Sequence, residues 1–328
     1  MEQVPRPQPA GSEVLIRVAG CGVCRTDLHI VDGIQRRISL PLTLGHEVAG
    51  WIDHAGSPEV LGAAGLELGQ PVIVAGGWGC GACAECAAGA EQRCATSTAP
   101  GFQRDGGYAE AMLVPNVRHL VPIGELDPLR AAPLADAGLT TLRAVRRAAP
   151  WLRAGGRVAV FGGGGLGQFA LQYLRLLGAE VARIVLVEPM EERRARARSL
   201  GADESLPGAD RQSLIEALGG PADLVLDLVG TDATLGTAAA VVAPGGLIML
   251  VGEADGSLVA GFDRTPVESW FTTTAWGSRD DLAEVVRLAI ADQLRWEIEP
   301  MPLTEINVAL ERVRAADTAG RIVLDPTR

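Results

Sequence analysis

A run of glycines between two apolar segments limits the fold more than any other feature of the chain. Residues 162–167 read Gly-Gly-Gly-Gly-Leu-Gly; the apolar segment 157–161 precedes them, and the apolar segment 166–177 has the length of a helix. In the pattern G-x-G-x-x-G the first glycine permits a tight turn, the second lets backbone approach a pyrophosphate, and the third lets helix pack on strand. The helix N-terminus then offers amides and a positive dipole to phosphate groups. The predicted dinucleotide-binding residues are Gly162, Gly164, Gly165, Leu166 and Gly167.

An acidic residue at the end of the next apolar segment favours NAD as that dinucleotide. Glu188 ends the segment 183–188, 21 residues after Gly167. A carboxylate at this place accepts hydrogen bonds from the adenosine ribose and repels a 2′-phosphate, so NADP is less favoured. Arg193 leaves NADP as an alternative cofactor, because arginine accommodates the extra phosphate. The alternative is that Glu188 only caps a strand and Arg193 lies on a solvated face.

From about residue 131, the chain alternates apolar strand-like segments with helical ones. We predict a helix over 131–149, strands over 157–161, 183–188, 223–229, 247–251 and 270–276, and helices over 166–177, 191–200 and 280–291. Continuous apolar strands separated by helices indicate a parallel sheet covered on both faces. The residues expected beside the nicotinamide, where such strands end, are Val229, Gly230, Val251 and Gly252. The part before residue 131 reads as a β-rich domain with long loops, and the segment that ends at Arg328 reads as β-rich again.

Four cysteines spaced C-x2-C-x2-C-x7-C indicate a metal site. Cys80, Cys83, Cys86 and Cys94 lie in a Gly- and Ala-rich segment, and all six cysteines of the chain fall between residues 21 and 94. In a reducing cytosol this clustering favours metal over disulfides. Four thiolates close a tetrahedral zinc site with no open position, so its role would be structural. An iron–sulfur site or unligated thiols are the alternatives.

The stretch from Cys21 to His29 combines the groups that a catalytic metal site needs. Within nine residues it contains thiol, hydroxyl, carboxylate and imidazole side chains. These groups hold a metal ion and move a proton beside it. Elsewhere in the chain His54 and His119 match no motif, and we interpret them as ordinary strand or loop residues.

Composition excludes several classes of function. A chain of 328 residues is long for one core, so two domains are expected, and 48% hydrophobic with 21% charged residues excludes a disordered chain. The net charge of −11 argues against nucleic acid or an anionic membrane as a partner, because both need a basic face. A small molecule is the expected partner. Since the first residues lack a secretory pattern and no stretch reaches the roughly 18 apolar residues of a membrane helix, we expect a soluble, cytoplasmic protein.

Over nearly its full length, the chain resembles the zinc-dependent alcohol dehydrogenases of the medium-chain dehydrogenase/reductase superfamily. The motifs that carry the resemblance are Gly22-Val23-Cys24-Arg25-Thr26-Asp27, Gly45-His46-Glu47, the four-cysteine segment and Gly162 to Gly167. Within the superfamily the chain looks most like the bacterial secondary-alcohol dehydrogenases. The resemblance implies an α/β fold with a β-rich GroES-like catalytic domain over 1–134, including a structural zinc lobe at 80–94. It further implies a Rossmann domain with a doubly wound parallel sheet over 135–276, and a C-terminal return to the catalytic domain over 277–328.

The resemblance also implies a catalytic zinc ligated by Cys24 and His46, which makes two zinc ions per chain. Cys21 is interpreted as a small buried hydrophobic residue, because the family pattern places the ligand at Cys24. Asp136 stands where many relatives have cysteine; a carboxylate is a competent zinc ligand, and three protein ligands leave one open position. The alternative is that Asp136 only caps the following helix.

The residues around that zinc have implied roles as well. Thr26 would hydrogen-bond the substrate oxygen, and His29 would be the solvent-side end of a proton relay, a task that suits histidine because its charge changes near neutral pH. Asp27 would orient a ligand from behind. Glu47 would tune the zinc or enter its coordination sphere during ligand exchange. For both acids the alternative is a hydrogen-bonded structural carboxylate.

The implied reaction is the NAD-linked interconversion of an alcohol, expected to be secondary, and its ketone or aldehyde. Arg25 and Arg321 match positions that contact the cofactor pyrophosphate. A zinc reductase acting on a C=C bond or another carbonyl substrate would keep both zinc sites and stays open; a non-catalytic NAD- and zinc-binding protein is the remaining alternative. By analogy we expect a homodimer or homotetramer, with the strand near 272–275 suited to pairing. Relatives have additional β structure before the segment equivalent to Val4, so those strands are either trimmed or absent here.

Overall fold

The computed structural model describes residues 2–35, 38–178, 180–181, 183–208 and 210–328. Its strands are β1 (Val14–Gly22), β2 (Glu47–Ala55), β3 (Pro71–Val74), β4 (Ala111–Val114), β5 (Leu120–Pro122), β6 (Arg157–Phe161), β7 (Arg183–Val187), β8 (Glu204–Leu206), β9 (Ala222–Asp227), β10 (Val242–Leu250), β11 (Trp270–Thr273), β12 (Ile298–Pro302) and β13 (Arg321–Asp325). Its α-helices are α1 (Arg25–Val31), α2 (Pro58–Ala64), α3 (Ala84–Ala87), α4 (Pro128–Ala131), α5 (Ala137–Arg147), α6 (Gly167–Leu177), α7 (Glu191–Leu200), α8 (Arg211–Leu218), α9 (Asp232–Val241), α10 (Arg279–Ile290) and α11 (Ile306–Arg314). None of these described helices is long and apolar enough to cross a membrane.

The chain divides into two compact units. The first consists of Met1–Leu139, Trp276–Gln293 and Glu297–Arg328, and the second of Thr140–Ala275 and Leu294–Trp296. Each unit has its own sheet and its own apolar core.

The first unit is built around β1, which pairs antiparallel with β2, β4 and β13. Its sheet has the order β12-β13-β1-β2-β3-β5, with β4 also on β1. Every residue of β1 except Arg17 is buried, which fits a strand with paired neighbours and covered faces. The register places Gly22, at the end of β1, opposite Glu47, at the start of β2. This pairing brings two distant motifs, Gly22 to Asp27 and Gly45 to Glu47, to the same end of the sheet.

The second unit has a parallel sheet in the order β11-β10-β9-β6-β7-β8. Helices α6 to α9 follow β6, β7, β8 and β9 in turn. All six residues of β9 are buried, as expected for a strand inside a covered sheet. The ends of the parallel strands lie along one edge, and this edge is where doubly wound sheets bind ligands.

The predicted helix over 131–149 is wrong in its first part. The chain forms α4, then a 3-10 turn at Ala132–Ala135, and only then α5. Pro133 has no backbone N–H to donate, and Asp136 adopts φ −127° and ψ −65°, outside helical geometry. The break leaves the side chain of Asp136 at a turn between two helical segments.

Two further expectations need correction. The strand predicted over 270–276 ends at Thr273, and Trp276 adopts a positive φ of 50°, which a strand does not contain. The C-terminal segment contains α11 between β12 and β13. Its apolar residues Ile306, Ala309, Leu310 and Val313 recur at helical spacing and pack in one cluster.

Candidate metal and dinucleotide sites

Four side chains that could hold a metal ion meet in the first unit. Cys24, His46, Glu47 and Asp136 each offer one ligand atom, and these atoms lie within 4.8 Å of one another. Cys24 directly precedes α1, His46 and Glu47 lie at the start of β2, and Asp136 occupies the break before α5. All four residues are buried.

The distances among three of these side chains fit a tetrahedral ion. The Sγ of Cys24 lies 3.9 Å from Oδ2 of Asp136, and the same oxygen lies 3.7 Å from Nε2 of His46. Ligands bound at 2.0–2.3 Å to a tetrahedral zinc ion are about 3.3–3.8 Å apart, so the second distance lies within this range and the first is slightly longer. A thiol, an imidazole and a carboxylate are also the donor types of catalytic zinc sites. The residues present therefore fit zinc.

The charges at the cluster indicate that it needs a cation. Burial alone would raise the pKa of the Cys24 thiol, but Arg321 and His46 lower it below its ordinary value. Burial alone would lower the pKa of His46, but Asp27 and Asp136 raise it well above its ordinary value. The acidic groups around His46 thus favour a positive charge on its imidazole. A metal ion bound at this place would supply that positive charge instead.

Glu47 forms a buried ion pair with Arg321. Their side chains approach to 2.7 Å, and Arg321 also donates to the carbonyl of Val23 at 3.3 Å. Burial alone would lower the pKa of Arg321, but Glu47 and Cys24 raise it, so the guanidinium stays charged. Gly22 leaves the room for this pair, because a Cβ at that position would lie 1.9 Å from Oε2 of Glu47. The sequence did not predict this partner for Arg321.

Asp27 connects the cluster to Tyr108, which the sequence interpretation missed. Its Oδ2 accepts hydrogen bonds from the Cys24 amide and from the Tyr108 hydroxyl, both at 2.8 Å. Its Oδ1 lies 3.3 Å from Nδ1 of His46. Burial raises the pKa of Tyr108 well above its ordinary value, with Asp27 as the next cause, so the phenol stays a donor. A lone tyrosine gives no motif in the sequence, and only the fold brings it to Asp27.

Helix α1 carries the remaining catalytic candidates of this unit. The Thr26 hydroxyl lies 3.6 Å from the Cys24 sulfur. His29 is buried one helical turn further on, whereas Arg25, the first residue of the helix, is exposed. Residues three apart on a helix are neighbours on its surface, so Thr26 and His29 share a face. Cys21, in contrast, is fully buried in the apolar core.

The four-cysteine lobe, residues 80–94, forms the second candidate metal centre of the first unit. The ligand atoms of Cys80, Cys83, Cys86 and Cys94 lie within 4.8 Å of one another. The Cys83 and Cys86 sulfurs are 3.5 Å apart, close to the spacing of thiolates around one tetrahedral zinc ion. The Cys80 amide donates to the Cys94 sulfur at 3.4 Å. The Thr96 hydroxyl, followed by the Cys80 and Thr96 amides, lowers the pKa of Cys94 to about 6, so these groups stabilise a thiolate.

The glycine turn of the second unit has the shape of a phosphate cradle. Gly162 adopts φ +95°, and a Cβ at Gly167 would lie 2.2 Å from the Gly162 carbonyl oxygen. A Cβ at Gly164 would meet only Arg193, at 3.5 Å, so the backbone there is open to a ligand. Gly165 and Leu166 lead directly into α6. The turn fits a pyrophosphate at the N-terminus of α6.

Glu188 lies beside this turn. Its Oε2 accepts from the Gly163 amide at 2.7 Å, and its Oε1 accepts from the Met190 amide at 2.9 Å. The Arg193 guanidinium lies 3.7 Å from Oε2, and both side chains are largely buried. The Glu188 and Arg193 side chains therefore lie together after β7. Arg193 does not lie on an open solvated face.

The other predicted dinucleotide residues of this unit converge on Asp227, which the sequence interpretation also missed. The Oδ1 of Asp227 accepts from the amides of Val229 and Gly230, both at 2.9 Å. Its backbone carbonyl accepts from Val251 at 2.8 Å and Gly252 at 3.0 Å. One residue at the end of β9 thus fixes the turns that follow β9 and β10, at the ligand-binding edge of the sheet.

Comparison with known proteins assigns the family. Residues 10–125 match the model of the alcohol dehydrogenase GroES-like domain, and residues 165–291 match the model of the zinc-binding dehydrogenase domain. The chain is 37% identical to a D-arabinose 1-dehydrogenase (NADP(+)) of Saccharolobus solfataricus, over 99% of this chain and 94% of that protein. The chain belongs to the zinc-dependent alcohol dehydrogenases of the medium-chain dehydrogenase/reductase superfamily.

Further alcohol dehydrogenases agree in sequence and in fold. An NAD-dependent alcohol dehydrogenase of Sulfurisphaera tokodaii is 33% identical over 99% of this chain and 96% of that protein. The crystal structure of the alcohol dehydrogenase from Aeropyrum pernix superposes with a TM-score of 0.90, at 34% identity over 99% of this chain and 96% of that one. The predicted family, fold class and oxidoreductase activity on alcohols and carbonyls are confirmed. As a member of this zinc-binding family, the enzyme uses a nicotinamide dinucleotide.

Proposed function

We propose that this alcohol dehydrogenase holds a catalytic zinc ion on Cys24, His46 and Asp136 and a structural one on the four-cysteine lobe. The observation that carries the proposal is the buried thiol, imidazole and carboxylate whose ligand atoms meet within 4.8 Å. When bound there, zinc supplies Lewis-acid polarisation of the substrate oxygen. The enzyme would interconvert an alcohol, expected to be secondary, with its ketone or aldehyde.

The surrounding residues hold the ligands in place. Asp27 accepts the Cys24 amide and faces Nδ1 of His46, so it orients the imidazole with Nε2 toward Asp136. Glu47 stays paired with Arg321 beside the cluster, from where it would tune the charge around the ion. The contact of Arg25 and Arg321 with the cofactor pyrophosphate stays a prediction, and Arg321 is already buried and paired with Glu47.

The proton of the alcohol would leave along α1. The Thr26 hydroxyl, 3.6 Å from the Cys24 sulfur, would accept the proton of the substrate hydroxyl and release its own proton to the next group of the relay. His29 is buried on the same helix face and would pass that proton on toward solvent. Because Cys24 and His29 are both buried, a relay of side chains would carry the proton between the site and solvent.

For the cofactor we propose NAD in preference to NADP, bound at Gly162 to Gly167. The Glu188 carboxylate would accept the adenosine ribose hydroxyls, and it lies 3.7 Å from the Arg193 guanidinium. Because that arginine is held by an acid, it is a weak receptor for a 2′-phosphate. The D-arabinose dehydrogenase relative is an NADP(+) enzyme by its name, so the ratio of kcat/KM for the two cofactors is the deciding measurement. A ratio in favour of NADP would refute this choice.

We further propose that the first unit is the catalytic domain and the second the dinucleotide domain, in a homodimer or homotetramer. Strand β11 is the last strand at one end of its sheet, and Trp270 and Phe271 are 62% and 44% exposed. An open strand edge with exposed aromatic side chains is suited to pairing with a second copy. A cytoplasmic location is proposed because the four-cysteine lobe requires reduced thiols.

The test combines metal analysis with a substrate panel. We expect two zinc ions per chain and NAD-linked oxidation of secondary alcohols, compared side by side with primary, cyclic and aromatic alcohols and with reduction of C=C substrates. Cys24→Ala should retain one zinc ion and lose turnover. Cys21→Ala is the matched control, because Cys21 is buried three residues away and packs in the core; it should retain both ions. Turnover confined to C=C reduction, or full loading without any turnover, would refute the proposal.

A further inference from the structure

Tyr108 reaches the proposed catalytic centre through a single carboxylate. Its hydroxyl donates to Oδ2 of Asp27 at 2.8 Å, and its second contact, with the carbonyl of Gly22, is longer at 3.4 Å. The same Oδ2 accepts the amide of Cys24 at 2.8 Å, while Oδ1 of Asp27 lies 3.3 Å from His46. One carboxylate therefore contacts two proposed zinc ligands, and Tyr108 donates to the same oxygen of that carboxylate as the Cys24 amide.

The backbone and ring of Tyr108 are fixed beside His46. The Tyr108 amide donates to the Leu44 carbonyl, and the Gly107 amide donates to the Gly45 carbonyl, both at 2.9 Å. A Cβ at Gly45 would lie 2.6 Å from the Tyr108 ring, so glycine at that position lets the ring pack against the backbone next to His46. The ring also packs against the apolar clusters of the first unit. The hydroxyl is thus presented from a rigid support.

The hydroxyl matters because Asp27 has few other constraints. The terminal torsion of an aspartate side chain is soft, so hydrogen bonds decide the orientation of its carboxylate. Asp27 is fully buried, and the contact given for its Oδ1 is the one with Nδ1 of His46 at 3.3 Å. Without the tyrosine hydroxyl, the donor that remains for Oδ2 among these contacts is the Cys24 amide. Rotation of the carboxylate would then move the group that faces His46.

We infer that Tyr108 is a positioning residue that controls how tightly the catalytic site holds its metal. It acts through Asp27 on both Cys24 and His46, and it touches neither substrate nor metal. The inference rests on the proposed function, because it requires that Cys24 and His46 are ligands. The four-cysteine lobe contains no part of this network, so its metal should be unaffected.

The experiment compares zinc release from the wild-type enzyme and the Tyr108→Phe variant. Phenylalanine keeps the ring against Gly45 and removes only the hydroxyl. Zinc transfer to a chromogenic chelator is followed over time, and the phase that belongs to the catalytic site is assigned as the one missing from Cys24→Ala. Loss of a residue that orients a metal ligand costs 10–100-fold in metal affinity, and Tyr108 acts one contact further out, so we expect release about three- to tenfold faster. The lobe phase should keep its rate.

The chain supplies a matched control and distinct outcomes. Tyr173 is the other tyrosine of the chain and is buried in α6 of the second unit, so Tyr173→Phe removes a buried hydroxyl elsewhere and should leave both phases unchanged. An unchanged catalytic phase in Tyr108→Phe overturns the inference, and equal acceleration of both phases overturns it in favour of a general packing role. If the wild-type enzyme holds only the lobe zinc or lacks NAD-linked turnover, the proposed function itself fails, which the same measurements distinguish.

Discussion

Replacing Asp136 with alanine tests the assignment on which the proposed catalytic site depends most. The three proposed ligands are Cys24, His46 and Asp136, and the carboxylate oxygen of Asp136 lies 3.9 Å from the first and 3.7 Å from the second. Alanine removes that oxygen and leaves two protein ligands. The alternative role of Asp136, capping α5, would leave zinc binding intact and would change only stability.

The size of the effect follows from the number of ligands. Binding of a structural zinc ion by four protein ligands is worth about 10–16 kcal/mol, or about 2.5–4 kcal/mol per ligand. Loss of one ligand should therefore weaken zinc binding at this site by about 10²- to 10³-fold. If Asp136 were only a helix cap, its replacement would cost about 0.5–2 kcal/mol of stability and nothing in zinc affinity.

The assay is zinc stoichiometry after gel filtration, followed by competition with a chelator of known affinity. We expect two ions per chain in the wild-type enzyme and one in Asp136→Ala, with the four-cysteine lobe as the site that stays filled. Asp136→Cys is the matched control, because a thiolate is also a zinc ligand of the same charge, and it should retain the second ion. Two tightly held ions in Asp136→Ala would refute the assignment.

Three further predictions concern an acid-sensitive histidine, the glycine turn and the proton relay. Burial, followed by the charge of Arg118, lowers the pKa of His119 to about 3. This histidine therefore stays neutral in the folded protein, while in the unfolded chain it binds a proton below about pH 6.5. The free energy of unfolding should fall by up to about 2 kcal/mol between pH 6.5 and 5 because of this one group. Urea unfolding of His119→Gln should show a correspondingly smaller fall in the free energy of unfolding over this interval. Gly167→Ala should weaken NAD binding at least about tenfold, as measured by calorimetry. The added Cβ would lie 2.2 Å from a backbone oxygen and would displace the helix N-terminus that receives the phosphates. The control is Gly236→Ala, whose Cβ would meet nothing within 4 Å and which should bind NAD normally. His29→Gln should slow turnover while zinc and NAD binding persist, because glutamine cannot carry the proton of the relay, and unchanged turnover would remove His29 from the relay.

Parts of the dinucleotide half of the chain could be predicted from sequence almost to the residue, whereas β8, α8 and α9 were not predicted. The segments predicted at 157–161 and 191–200 coincide with β6 and α7, and the helix predicted at 166–177 differs from α6 by one residue. These elements are specified locally, by apolar runs and by glycines whose conformational freedom only a tight turn requires. A parallel sheet then follows from the alternation of strands and helices alone.

The catalytic cluster could be predicted only by resemblance, because the fold assembles it from distant segments. Cys24 and Asp136 are 112 residues apart, and what unites them is the register of β1 on β2 and a break in a helical segment. The register of β1 on β2 has no local signal, and the prediction of a continuous helix over 131–149 overlooked Pro133, which precedes the break at Asp136. Tyr108 and Asp227 were missed for the same reason, since a single tyrosine or aspartate gains its role only from the neighbours that the fold provides.

The charge on His46 in the metal-free enzyme gives an independent test of the cluster. Buried acidic groups surround one permanent cation, Arg321; the acids are Cys24, Asp27, Glu47 and Asp136. Uncompensated buried charge is costly, and Asp27 and Asp136 raise the pKa of His46 well above its ordinary value, so the metal-free imidazole should be a cation at pH 7. Since the chain has only four histidines, proton NMR can follow each ring, with His54→Gln to assign the exposed one. After zinc removal the His46 signal should remain in its protonated position at pH 7, and after reloading it should not titrate, because a ligating nitrogen cannot carry a proton. Titration of the metal-free His46 near pH 6.5 would show that these carboxylates do not surround it.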